Sequence, residues 1–65
     1  MKTKELFPKL KAKMAYYGET QKDIAKLLDL SELSIVKRFK GTVEWNLTEL
    51  RTIANHYNCK IDDLV

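Results

Sequence analysis

The sequence predicts an all-α fold, a compact bundle of five short helices that forms a single domain over residues 1–65. Apolar residues recur at intervals of three and four along most of the chain, which is the spacing of one helical face. Residues that begin and end helices interrupt this pattern at regular intervals. In addition, the stretch from Thr20 to Gly41 reads as helix, four-residue turn and helix, which is the spacing of a helix-turn-helix.

Length and composition leave an apolar core as the source of stability. A chain of 65 residues is near the lower size limit for folding without a metal or disulfides. Its single cysteine, Cys59, excludes an intrachain disulfide, and no Cys/His set has the spacing of zinc ligands. Hydrophobic residues make up 45% of the chain, which is enough for such a core. We therefore expect no metal and no cofactor.

The charge suits a polyanionic partner, because the formal net charge is +3 and the pI is about 9.1. Residues 1–13 hold five Lys and one Glu, whereas residues 42–65 hold two basic and four acidic residues. No apolar run approaches the roughly 18 residues of a membrane span, and the N-terminus lacks the apolar centre of a signal peptide. We expect a cytoplasmic protein without a membrane partner, and the lone thiol agrees with this.

The chain begins with a short basic segment that leads into the first helix. Residues 1–5 are expected to be either a frayed terminus or a flexible basic arm that touches phosphates. Pro8 is typical of a first helical turn, and Gly18 is typical of a helix end. The buried stripe of this helix is predicted to be Leu10, Met14 and Tyr17.

Local signals define the helix-turn-helix. Thr20 and Asp23 form a capping box, with Asp in place of the usual Glu or Gln. Asp29 stands where the turn requires a left-handed backbone, which Asp tolerates better than most residues. Ser31 is a good N-cap for the second helix, and Gly41 ends that helix in a left-handed conformation.

The second helix of this motif is basic. It carries Lys37, Arg38 and Lys40 against one acid, Glu32. In helix-turn-helix proteins such a helix lies in the DNA major groove, with its N-terminal residues facing base edges. The alternative is an ordinary helical hairpin within a small bundle.

A loop and a fourth helix follow. Trp45 either covers an edge of the core or donates its indole N–H to a phosphate. Asn46 and Glu49 form a capping box. His56 lies off the apolar face without a partner at ligand spacing, so we interpret it as a surface residue. The buried stripe is predicted to be Leu47, Leu50, Ile53, Ala54 and Tyr57.

The C-terminal residues complete the predicted bundle. Cys59 and Ile61 are expected to pack on the core, and residues 60–65 form the fifth short helix. No residue pairs a nucleophile with an activating base, so Cys59 has no expected reactivity. We expect no catalytic residues, and the chain is not predicted to be an enzyme.

The strings TQKDIAKLLDLSELSIVKRFKG and NLTELRTIANHYNCKIDDLV resemble the Cro and phage-repressor class of helix-turn-helix regulators, in particular its short phage-type members. The resemblance covers nearly the whole chain. It implies a lambda-repressor-like five-helix domain and a sequence-specific transcriptional regulator, a phage or prophage repressor associated with the nucleoid. The implied partner is double-stranded operator DNA, bound by a homodimer on a two-fold site, with no small-molecule ligand.

The resemblance also assigns contacts to individual residues. The base-reading residues it implies lie at the start of the recognition helix, which spans about 32–40, and are Ser31, Glu32, Leu33, Val36 and Lys37. The residues implied to touch the DNA backbone are Gln21, Lys22, Ser34, Arg38, Lys40, Thr42, Trp45 and Asn46.

The chain departs from the family pattern inside the motif. Asp29 replaces the usual Gly of the turn. Many members carry an acid at the position of Phe39, paired with an Arg at the position of Met14, and an apolar residue at the position of Arg38. The resemblance therefore implies that Met14 and Phe39 touch in place of a buried ion pair and that Arg38 points outward.

The reading surface itself also departs, because Leu33 and Val36 are apolar where many members have Gln, Ser or Asn. An apolar side chain can pack on a thymine methyl group or belong to a protein–protein surface. The alternative function is therefore a protein-interaction module with this fold, such as an antitoxin or anti-repressor.

Overall fold

A computed structural model describes residues 7–65, which contain four α-helices and one 3-10 turn. The elements are α1 (Pro8–Tyr16), α2 (Gln21–Leu28), α3 (Glu32–Lys40), α4 (Leu47–His56) and the 3-10 turn Ile61–Asp63. The expectation of a fifth helix was wrong, because only three residues at the C-terminus adopt helical geometry. The predicted basic arm, residues 1–5, lies outside the described residues.

Each predicted capping box is confirmed. The Asp23 backbone N–H donates to Thr20 Oγ1 at 3.4 Å, and the Thr20 N–H donates to the Asp23 carboxylate at 2.9 Å. At α4, the Glu49 N–H donates to Asn46 Oδ1 at 2.8 Å, and the Asn46 N–H donates to Glu49 Oε1 at 3.2 Å. These bonds satisfy backbone donors that a helix N-terminus otherwise leaves unpaired.

The turns at the ends of α2 and α3 are also as predicted. Asp29 has φ 58° and ψ 43°, which is left-handed, and the following Leu30 packs against the core. Gly41 ends α3 with φ 85°. Asn58 takes a left-handed conformation after α4, where φ is 55°. Asn and Asp adopt this region more readily than other residues that carry a Cβ.

The core lies between α1 and the three helices that follow it, with α2 packed against both α3 and α4. Met14 and Phe39 both belong to the buried cluster, although their direct contact stays a prediction. Cys59 and Ile61 are half-buried and pack on this cluster. The buried side chains are Leu10, Met14, Ile24, Ala25, Ile35, Phe39, Ile53, Ala54, Tyr57 and Leu64.

Two residues that were predicted to be buried are exposed. Tyr17 is 53% exposed because α1 ends at Tyr16, so Tyr17 leaves the helical stripe and stacks on Tyr57, with ring centroids 5.1 Å apart. Leu47 is 58% exposed. It is the first residue of α4, and the packing of this helix on the core begins one turn later, with Leu50 half-buried and Ile53 fully buried.

Within residues 7–65, no helix is long and apolar enough to cross a membrane. The same part of the chain contains no cluster of His, Cys, Asp or Glu side chains that could hold a metal ion.

Candidate nucleic-acid interface

The N-terminus of α3 is held by two serines. Ser31 Oγ accepts a hydrogen bond from the Ser34 backbone N–H at 3.2 Å, and the two hydroxyl oxygens are 3.0 Å apart. Ser31 itself has an extended backbone, as an N-cap residue should. The helix therefore starts at a defined residue, because the Ser31 side chain satisfies a backbone donor of its first turn.

One side of α3 is buried and the opposite side faces solvent. Ile35 and Phe39 anchor the helix in the core. Leu33, Lys37 and Lys40 are all exposed, and Leu33 has 61% of its surface accessible. Because residues three and four apart share a helical face, these three side chains form one outward stripe, which we call the α3 stripe.

The residues implied to read bases are brought together at one end of the α3 stripe. Ser31 and Glu32 are exposed beside Leu33 in the first turn, and Lys37 follows one turn later. Val36 is half-buried at the flank of the stripe. The side with Leu33 and Lys37 is therefore directed away from the body of the molecule.

The residues implied to touch the DNA backbone lie at helix ends. Gln21 and Lys22 begin α2, with Gln21 half-buried and Lys22 exposed. Lys40 is the last residue of α3, and Thr42 is exposed beyond it, its N–H donating to the Lys37 carbonyl at 3.0 Å. Asn46 is the exposed N-cap of α4. Ser34 is half-buried and takes part in the cap of α3.

The family pattern implies that Arg38 points outward, but in the structure its side chain turns toward α4. Its guanidinium donates to both carboxylate oxygens of Glu49, at 3.0 and 2.9 Å, and to the Ser34 carbonyl at 3.0 Å. Only 13% of the Arg38 side chain and 12% of the Glu49 side chain are exposed. The hydrogen bonds from Arg38, together with the Asn46 N–H, hold the pKa of Glu49 below its ordinary value despite its partial burial.

Trp45 covers an edge of the core. Its ring meets Phe7 and Phe39 edge-on, with centroid distances of 5.8 and 5.4 Å. It also lines a cleft of about 440 Å³ together with Val43 and Leu50. The indole Nε1 is enclosed and has no hydrogen-bond partner within the described part of the chain. In this conformation the N–H is not presented to a phosphate, so the arrangement favours the first of the two interpretations of Trp45.

A polar cluster that the sequence did not reveal ties the α1–α2 connection to the end of α4. The Glu19 carboxylate accepts a 2.6 Å hydrogen bond from the Tyr57 hydroxyl and lies 3.0 Å from His56 Nε2. His56 is exposed, as predicted, but it has a carboxylate partner that the sequence analysis did not identify. Glu19 is 37 residues away in sequence, so no local spacing could have indicated the pair.

This cluster perturbs the ionisation of its members. The hydrogen bond from Tyr57, and secondarily the one from His56, lowers the pKa of Glu19. Burial, followed by the adjacent Glu19 carboxylate, raises the pKa of Tyr57 well above its ordinary value. The cluster therefore holds an ionised carboxylate that accepts a hydrogen bond from a neutral phenol.

These features define a helix-turn-helix protein, in which α2 and α3 form the motif. Its α3 helix is capped at its start, anchored in the core on one side, and exposed and basic on the other. The chain belongs to the family of the Cro/C1-type helix-turn-helix DNA-binding domain, whose family model matches residues 9–65. DNA binding is the general function of this family, which is not a family of enzymes. No curated protein and no solved structure matches the chain significantly.

Proposed function

We propose that this protein is a sequence-specific transcriptional regulator, a repressor that inserts α3 into the major groove of operator DNA. The exposed α3 stripe supports this proposal most directly. Its Leu33, Lys37 and Lys40 side chains are not used to stabilise the fold, whereas Ile35 and Phe39 hold the helix from behind. An α-helix presented in this way fits the roughly 12 Å width of the major groove.

Contacts to phosphates supply affinity without sequence information. The exposed or partly exposed groups at helix ends are suited to this role, namely Gln21, Lys22, Lys40, Thr42 and Asn46. Arg38 and Trp45 are removed from the proposed contact set, because the first is engaged by Glu49 and the N–H of the second is enclosed. Ser34 is retained as part of the cap at which α3 begins.

Base recognition is assigned to the first two turns of α3. The Lys37 ammonium is suited to donate to guanine O6 or N7, and the Glu32 carboxylate to accept from a cytosine amino group. Ser31 and Val36 flank these two side chains. A homodimer would place two such helices in successive major grooves, about 34 Å apart, on a two-fold operator.

The proposal is tested by comparing lysine variants on two duplexes, an operator obtained by selection from random DNA and a random duplex. Lys37→Ala should weaken operator binding more than random binding, by about 1–3 kcal/mol, because a base contact is lost. Lys40→Ala should weaken both about equally and reduce the slope of log K against log salt by about one, because a phosphate contact is lost. Lys60→Ala, which removes an exposed charge outside the helix-turn-helix, is the matched control.

Equal weakening by Lys37→Ala on both duplexes would refute its assignment as a base reader. An operator without two-fold symmetry would argue against the homodimer. Fluorescence anisotropy at a series of salt concentrations measures the affinity for each duplex and its dependence on salt. Counterion release makes specific and non-specific affinity both fall steeply with salt.

The exposure of Leu33 favours one other function, a protein-interaction module such as an antitoxin or anti-repressor. In that case the wild-type chain would bind no duplex at any salt concentration. Loss of binding above a few hundred millimolar salt, preceded by tight binding at low salt, is the result expected from a regulator.

A further inference from the structure

Leu33 is an exposed apolar residue in the first turn of α3. Its side chain is 61% exposed and does not belong to the apolar cluster or to the half-buried residues that pack against it. It shares the α3 stripe with Lys37, one turn later, and with Lys40. An apolar side chain at this point is therefore available to whatever α3 contacts.

The polar groups beside Leu33 are partly committed within the protein. Ser31 Oγ accepts from the Ser34 N–H and lies 3.0 Å from Ser34 Oγ, so both hydroxyls are engaged in the cap. The polar groups left to read bases are the Glu32 carboxylate, next to Leu33 in sequence, and the Lys37 ammonium. Leu33 therefore offers an apolar contact on the same stripe as Lys37, one turn before it.

The charge around Leu33 favours DNA over a protein surface. Lysines are depleted at the centres of protein–protein interfaces, whereas here Lys37 and Lys40 lie on the same stripe as the exposed leucine. In the major groove, the C5 methyl of thymine is the apolar group that distinguishes one base pair from the others. A leucine with lysines on its own stripe is chemically suited to that methyl group, with the ammonium groups directed to base edges and phosphates.

We propose that Leu33 reads a pyrimidine 5-methyl group, so that each operator half-site contains a thymine opposite the first turn of α3. This inference rests on the proposed function and specifies one base of its target.

The test uses the full chain and a duplex selected from random DNA, prepared either with thymine or with deoxyuridine at every thymine position. Deoxyuridine keeps the base-pairing edge and the O4 acceptor and lacks only the methyl group. The wild type should bind the thymine form about fourfold more tightly per contacted methyl, equivalent to ~0.8 kcal/mol. Leu33→Ser should bind both forms equally. Leu47→Ser, which alters a comparably exposed leucine on α4 (58%), should keep the wild-type ratio.

Replacing one thymine at a time should then confine the effect to a single position in each half-site. Equal wild-type affinity for both forms would overturn the inference and leave DNA binding intact. A thymine preference that survives in Leu33→Ser would also overturn it, because another side chain would then contact the methyl group. If the wild type selected no duplex at all, the proposed function would fail and the inference would fall with it.

Discussion

Arg38 of α3 and Glu49 of α4 form an ion pair with two parallel hydrogen bonds, at 3.0 and 2.9 Å. The same Glu49 carboxylate accepts the Asn46 N–H that begins α4. The Glu49 side chain therefore caps α4 and also holds the inner flank of α3. This geometry couples the orientation of α3 to the first turn of α4, and it replaces the outward-pointing arginine that the family pattern implied.

Breaking this pair should destabilise the fold. Glu49→Gln keeps the shape of the side chain but leaves the largely buried Arg38 without a counter-charge, so we expect a loss of about 1–3 kcal/mol in the free energy of unfolding. Urea denaturation followed by Trp45 fluorescence measures it. Glu44→Gln, an exposed loop acid, should change the stability by less than about 0.5 kcal/mol.

A double variant separates the stabilisation that the ion pair provides from the destabilisation caused by leaving one buried charge without its partner. Arg38→Met with Glu49→Leu replaces both charges by apolar groups of similar length and should recover most of the stability lost in Glu49→Gln. A double variant no more stable than Glu49→Gln would show that the cap to Asn46, rather than the ion pair, dominates at Glu49.

Acid should destabilise the protein through two carboxylates. The pKa of Glu19 is lowered by Tyr57 and His56, and that of Glu49 by Arg38, both from an ordinary value of 4.5. A carboxylate whose pKa is lower in the folded state stabilises the fold above its unfolded pKa, and this stabilisation is lost as pH falls through the folded pKa. The thermal midpoint should therefore be level above about pH 5 and fall below it.

Variants that lack the two carboxylates show how much of the pH dependence of the thermal midpoint comes from Glu19 and Glu49. Glu19→Gln combined with Glu49→Gln should have a flatter profile of midpoint against pH than the wild type between pH 5 and pH 3. Asp23, whose pKa is lowered by the Thr20 N–H, should leave a residual slope. If the double variant retained the full wild-type slope, the acid sensitivity would have to come from other carboxylates.

The hydrogen bond between Tyr57 and Glu19 should contribute measurably to stability. Tyr57→Phe removes a 2.6 Å bond to a charged acceptor while keeping the buried ring, and we expect a loss of about 1 kcal/mol because Glu19 remains partly hydrated. The measurement is again the urea midpoint. Tyr16→Phe, at a site that is 84% exposed, is the matched control and should leave the midpoint unchanged.

Asp29→Gly should stabilise the protein. Asp29 has a left-handed backbone, with φ 58°, and this conformation costs a residue with a Cβ about 1 kcal/mol. Glycine avoids this cost, but its greater freedom in the unfolded chain cancels part of the gain. We expect a net gain of about 0.5 kcal/mol in urea denaturation. Lys26→Gly, at an exposed position inside α2, should lose about 1 kcal/mol instead. A loss in both variants would contradict the assignment of strain to Asp29.

The helices and their ends were predictable because their signals act over three or four residues. Local hydrogen bonding accounts for the two capping boxes, Thr20–Asp23 and Asn46–Glu49. Backbone sterics account for the left-handed Asp29 and for the end of α3 at Gly41. For the same reason periodicity located Leu10, Met14 and Ile53 in the core. It failed at Tyr17 and Leu47, where the helix has just ended or just begun and the stripe no longer faces other elements.

The caps and apolar stripes by themselves determined the helix-turn-helix, and the resemblance of the sequence to the Cro and phage-repressor class indicated a DNA-binding family with Leu33 and Lys37 on its reading face. Only the tertiary structure decided that Arg38 turns to Glu49 and that Glu19 meets His56 and Tyr57, because these partners lie 11 and 37 or more residues apart. Such pairs depend on how whole helices pack, and helix packing is set by the buried core rather than by any short run of residues.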